Sequence, residues 1–295
     1  MFLHHKRFLS SPLVLTVVIV LAVSGAARAS TPEPRTTAFQ ARLSTLRLEF
    51  ADKVSRTNDQ EELCALALIY VGKIWAASTI ALAERSRSLQ TLAQMEQAEQ
   101  DFKRDLKKNR RPEDKQLAAL RLLYRSAAET ALVLASRRND KAAVDEIKNF
   151  EATVQKNILA ARGSRFQSMV ALSQGALGIL ALTGRSISGK VQPFLLIEQE
   201  VKKVMEKGRE IEQRKDIHAR GKLFLIAVNN LVGCFKLVCL LGLAMDEASF
   251  PEIEAIRKSW QKNTGQGTSP ARTWAVTLTA LAEASFPLAS ALNPD

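Results

Sequence analysis

The sequence predicts an all-α fold: an elongated multi-helix bundle with a coiled-coil-like hairpin, behind an N-terminal signal peptide. Three observations predict it. Apolar residues recur at steps of three and four along most of the chain, the period of one helix face. No run alternates polar and apolar residues, and no Asn-Gly or Asp-Gly hairpin turn occurs. Ala and Leu dominate, while Gly and Pro fall between the periodic stretches as punctuation.

The N-terminus has the order of a secretory leader. Lys6 and Arg7 form a basic head, an apolar run extends from Phe8 to Val23, and Ala27 and Ala29 flank Arg28. Cleavage is expected between Ala29 and Ser30. Residues 1–29 are then the signal peptide, and residues 30–295 one helical-bundle domain. Loss of Lys6, Arg7 and Arg28 lowers the formal charge from +12 to +9. An exported basic protein, periplasmic or secreted, meets anionic lipid, cell-wall polymer or acidic partners. Nucleic acid is not an expected partner, because acids are mixed among the bases and interleaved aromatics are lacking. Cys64, Cys234 and Cys239 all lie in apolar stretches and read as buried free thiols. Cys234 and Cys239 are five apart, about 140° round a helix, and cannot bridge each other on it.

The first helix shows its face in Phe39, Leu43, Leu46, Phe50 and Val54. Asn58 and Glu61 have the spacing of a capping box for the next. From Gln60 to Asn109 the pattern allows one helix about 75 Å long, unless it breaks near Ser86 or Ser88. Pro112 opens another helix, with Glu113 and Asp114 suiting the positive end of its dipole. Leu117, Leu120, Tyr124, Ala127, Ala131 and Leu134 then form a 3-4-3-4-3 seam. Leu92, Met95, Phe102 and Leu106 give the preceding stretch a looser one. The short connection predicts an antiparallel hairpin of Glu84–Asn109 against Glu113–Arg138.

Beyond a turn at Arg137–Asp140, Val144, Ile147, Val154 and Ile158 stripe a further helix that stops at Gly163. An apolar, Gly-spotted stretch follows Phe166, and "GRSISGKVQP" reads as a loop. Phe194, Ile197, Val201, Val204 and Ile211 form another seam, with Glu198/Lys202 and Glu210/Arg214 as i,i+4 pairs on its outside. Gly221 separates or kinks this helix from the next. "FPEIEAIRKSW" is a short helix, "NTGQGTSP" a loop, and the last helix is disturbed by Pro287. No repeat of fixed period stands out.

Leu223–Met245 poses the main question. It is 23 residues long with one charge, Lys236, near its middle. Length alone allows a membrane span. A central Lys costs about 2.5–3.5 kcal/mol on insertion, against about 0.3–0.6 returned by each Leu, Ile, Phe or Val. Lys222, Asn229, Lys236 and Glu247 fall within about 40° of one another round a helix. A narrow polar stripe on a wide apolar surface predicts a nearly buried bundle helix, covered by Leu63–Leu82 and the C-terminal helix.

The chemical motifs are incomplete. "GRSISGK" fits a phosphate loop, but Val191 stands where a Mg²⁺-binding Ser or Thr is needed, and Pro193 falls inside the required helix. Ser259–Lys262 matches S-x-x-K without its S-D-N and K-T-G partners. His218 is the only His after the leader, and it reads as solvated or capping. No metal-ligand cluster and no cofactor motif is present in the sequence. The densest charge cluster is at the hairpin tip, where Lys107, Lys108, Arg110 and Arg111 are the candidate contacts to an anionic surface.

The expected function is that of an exported, non-enzymatic helical bundle that binds another protein or an anionic envelope component. Two alternatives follow from the same residues. One is a membrane-active protein that inserts its apolar helices into lipid. The other is a hydrolase built on carboxylates in a helical site.

Overall fold

The computed structural model describes residues 37–161, 163–187, 191–245, 250–265 and 267–294, and the signal peptide expected at residues 1–29 lies outside them. Ten helices are described and no strand among these residues: α1 Ala38–Arg56, α2 Gln60–Arg85, α3 Leu89–Lys108, α4 Pro112–Arg137, α5 Lys141–Ala160, α6 Arg165–Ile187, α7 Val191–Gln213, α8 Ala219–Met245, α9 Phe250–Asn263 and α10 Pro270–Leu292.

The even-numbered helices form a ring. α2 packs on α4, α4 on α6, α6 on α8, α8 on α10, and α10 returns to α2. All five run the same way. Near one end of the α2–α10 contact the Gln60 amide donates to the Ala271 carbonyl at 2.8 Å; midway the Trp75 indole donates to Ser285 Oγ at 3.2 Å; near the other end Asn293 donates to Ser78 Oγ at 2.8 Å. Thr79 meets Thr130 at 2.8 Å between α2 and α4, and Asn230 donates to Ser173 Oγ at 3.1 Å between α6 and α8. Each odd-numbered helix returns the chain antiparallel on the outside, resting in the groove between two inner helices. Neighbouring axes about 10 Å apart put a five-membered ring about 8.5 Å from its own centre, so side chains fill the axis.

Local chemistry explains the elements. Inner helices touch other helices on nearly every side, so α2, α6, α8 and α10 are apolar nearly all round, while α4 keeps Arg121 and Arg125 toward α3 and α5. α2 buries Leu68, Val71, Ile74, Trp75 and Leu82, and each such side chain contributes about 1.5–3 kcal/mol. Outer helices bury only a stripe: Leu43, Leu46, Phe50 and Val54 on α1, and Ile147 and Val154 on α5. Gly72 lets α2 approach α4, because a Cβ there would lie 3.3 Å from the Ala119 carbonyl oxygen. Asp59, Asp140 and Ser269 cap α2, α5 and α10 by accepting from backbone N–H groups three residues on.

Several expectations give way. The long helix from Gln60 breaks after Arg85, where Arg87 takes a positive φ of 52° and reverses the chain into α3. The α2 cap is Asp59, bonded to the Glu62 N–H at 2.8 Å, not Asn58. α3 and α4 do run antiparallel, with Asp105 near Arg121 and Thr91 bonded to Glu129. Yet α4 is an inner helix buried chiefly against α2 and α6, so its seam is part of a broad core face. The bundle closes on itself instead of extending. The expected loop after Thr183 is largely helical, since α6 continues to Ile187 and α7 begins at Val191. Gly184 and Arg185 therefore lie on a helix, which removes the phosphate-loop geometry. Gly221 sits in the first turn of α8 and does not divide a longer helix. Glu198 pairs with Arg185 instead of Lys202, and Arg214 with Asp216 instead of Glu210.

The fold also carries a period. Its inner helices begin at Gln60, Pro112, Arg165, Ala219 and Pro270, at steps of 52, 53, 54 and 51 residues. The unit is an outer–inner helix pair used five times.

Leu223–Met245 is an inner helix within α8. Its neighbours are α6, α7, α9 and α10; α2 is two places away round the ring and does not cover it as expected. Lys236 reaches Glu200 on α7 at 2.6 Å. Four inner helices, Gln60–Arg85, Arg165–Ser186, Ala219–Met245 and Pro270–Leu292, are long and apolar enough to cross a membrane. Between 61% and 72% of each apolar window is buried within the ring.

Candidate functional site

The parallel ring gives the molecule two unlike ends. At one end all five inner helices begin, so five dipoles point their positive ends at one mouth. A cavity of about 670 Å³ opens there, and every inner helix lines it. One turn below the rim, Cys64 of α2, Gln116 of α4, Met169 of α6, Phe224 of α8 and Trp274 of α10 form its wall. Phe224 and Trp274 are in ring contact at 5.6 Å. Gln116 is the polar member of this layer. It is only 5% exposed, and its amide makes no hydrogen bond to the described residues.

The rim is divided by charge. α2 and α4 carry acids in the first turn: Glu61, Glu62, Glu113 and Asp114. α6, α8 and α10 carry none there and instead begin with Arg165, Arg220 and Arg272. A cation at a helix start opposes the dipole by about 0.3–1 kcal/mol. Arg165 is compensated by Glu113 across the α4–α6 contact at 3.5 Å. Arg220 and Glu61 are exposed and have no ion pair among the described residues. His218 precedes α8, and its Nδ1 accepts from the Gly221 N–H at 3.0 Å. This is the expected capping role, and it requires that ring nitrogen to be unprotonated.

The sequence-predicted basic cluster lies at the same end, because α3 returns antiparallel to α4. Lys107, Lys108 and Arg110 are exposed and without an ion pair among the described residues. Arg111 differs, for its Nε donates to Asp114 at 2.8 Å. Asn109 holds the tip by donating its N–H to the Asp105 carbonyl at 3.0 Å.

Other reactive groups are accounted for by packing. The three thiols are free and buried, and burial pushes each up to about 12. Such thiols are inert. Glu129 and Glu151 share Arg125, at 3.1 and 3.5 Å. Burial raises both carboxyls and Arg125 opposes the shift. The trio ties α4 to α5, and the Thr91 hydroxyl joins α3 to it by donating to Glu129 at 3.1 Å. Neither carboxylate lines the mouth. No group of three metal-binding side chains occurs among the described residues.

Sequence reasoning placed Lys107, Lys108, Arg110 and Arg111 at an exposed turn between helices, where they lie, and read His218 as solvated or capping. It missed the mouth, since Gln116, Glu61 and Arg220 lie on three different helices far apart in the chain. The available signal was Gln116 itself, an amide one turn into a helix at an otherwise apolar level. No protein-family model matches the chain, and no significant match was found among curated proteins or solved structures.

Proposed function

We propose that the protein is an exported, non-enzymatic binding module that docks on an anionic envelope surface through the end of the ring where the inner helices begin. One observation carries this reading: Lys107, Lys108 and Arg110 stand exposed and without ion pairs at the tip beside five converging helix starts. Cations so placed keep their full charge for a partner, and attraction of this kind weakens with salt. The test is sedimentation of residues 30–295 with vesicles of phosphatidylcholine and phosphatidylglycerol, against phosphatidylcholine alone. Binding to the anionic vesicles should fall steeply with added salt. Lys107→Glu, Lys108→Glu and Arg110→Glu combined should weaken it at least tenfold, about 1.4 kcal/mol. Unchanged binding by the triple variant, or binding equal on both vesicles, contradicts the proposal. No vesicle binding at all moves the tip's partner to an acidic protein.

A second reading, insertion into lipid, is favoured by the four apolar helices of spanning length. It requires the ring to open, because most of that apolar surface is already covered within it. Resistance of vesicle-bound protein to alkaline carbonate would support insertion over surface docking.

A further inference from the structure

We propose that the mouth of the ring is a binding site for a short apolar peptide with free termini. This goes beyond surface docking and rests on different residues. The ligand class follows from four features at one place. The wall is apolar and aromatic, with Phe166, Met169, Phe224 and Trp274 on the α6, α8 and α10 side. That suits apolar side chains. Gln116 offers an amide donor and acceptor at the same depth, 5% exposed and without a protein partner. Its amide atoms meet the cavity and not the sealed interior, so an entering peptide group supplies the matching acceptor and donor in place of water. Arg220 stands unpaired on the half of the rim where three helices start without acids, so it suits a carboxylate. Glu61 stands unpaired on the acidic half, so it suits an ammonium.

The ring order fixes their relation. α2 and α8 are not neighbours, so Glu61 and Arg220 face the mouth from separate positions and have no direct pair. A simple anion would use Arg220 and leave Glu61 opposed; a simple cation would do the reverse. A zwitterion with an apolar body uses both. The cavity, about 670 Å³, falls in the range of about 300–1,000 Å³ for small-molecule sites, and holds a few residues rather than a single amino acid.

The experiment is calorimetric titration of residues 30–295 with leucyl-phenylalanine and with its N-acetyl and C-amide forms. Free dipeptide should bind saturably, one per chain. Amidation should weaken binding at least tenfold on the native protein and have little further effect on Arg220→Ala. Acetylation should behave in the same way with Glu61→Gln. Both side chains are exposed, so neither variant threatens the fold. Gln116→Leu should weaken binding while leaving the protein folded, as an unbonded amide is replaced by an apolar group of similar size. The variant with Glu at 107, 108 and 110 should bind the dipeptide unchanged, which separates this site from the docking surface. No saturable binding at millimolar peptide overturns the proposal. So does equal binding of free and doubly blocked peptide, or tighter competing binding of dodecanoate.

Discussion

At the scale of single residues, the clearest consequence of burial is at Glu283. Its side chain on α10 lines a small pocket with Val54, Leu63, Ile256 and Trp260, and it has no ion pair or hydrogen bond among the described residues. Burial raises its carboxyl from 4.5 to about 7, with Arg47 opposing and Glu252 assisting. The folded state therefore holds a proton between about pH 4.5 and 7 that the unfolded chain releases. Stability should fall as pH rises through that window. Glu283→Gln should flatten this slope and stabilise the protein at pH 8 by about 1–2 kcal/mol, the full effect being discounted because the side chain keeps some contact with water. Denaturant melts at pH 5 and pH 8 check it; a variant that keeps the native slope would show that another group titrates. Glu283 was not singled out in the sequence, where one acid in an Ala-rich helix looks like any surface charge. Only the packing of α1 and α9 over it makes it unusual.

At the scale of elements, α8 shows what a sequence reveals about burial and what it hides. Length, apolar content and a narrow polar stripe already mark Leu223–Met245 as a nearly buried helix. The partner of Lys236 was not legible, because Glu200 lies on α7 and only the fold brings them together. That partner changes the expected effect of Lys236→Leu. Read from the sequence, the substitution removes a charge from an apolar helix and is neutral or mildly stabilising. In the structure it strands Glu200, whose side chain is 13% exposed. It should now destabilise by about 1–3 kcal/mol, and Lys236→Leu with Glu200→Leu should restore most of the loss. Thermal melts of the single and double variants decide it; a stabilising single variant would mean that the pair is not formed. The α4 seam has the same lesson. Its 3-4 spacing correctly marks a helix face, but a coiled-coil seam and one edge of a broad core face look alike until the other faces are placed. Ala118, Ala119, Leu122 and Leu123 carry that second burial and stand in plain sight beside the seam.

At the scale of the whole molecule, the alternation of charged and apolar helices is the trace of the ring. Striped helices are the outer members, and the inner α2, α6, α8 and α10 are apolar nearly all round; the two layers alternate because the chain crosses between them at each turn. The inner α4 keeps charge, its Arg121 and Arg125 meeting acids on α3 and α5. The steps of 52, 53, 54 and 51 residues between inner-helix starts were hidden because the five units share pattern and not residues. Helix class and most helix positions were thus readable, while closure was not, since it depends on contacts between the first and last parts of the chain. Closure is also what brings the inner-helix starts together and so creates the mouth. It is tested most directly at the junction of α2 and α10, where Asn293 donates to Ser78 Oγ at 2.8 Å. Ser78→Cys with Asn293→Cys, in residues 30–295 without detergent, should form an intrachain bridge on mild oxidation or with a short thiol cross-linker, seen as a faster-migrating monomer that reduction reverses. Failure of that pair to bridge in folded protein, or bridging only between chains, would contradict a ring closed by α2 and α10.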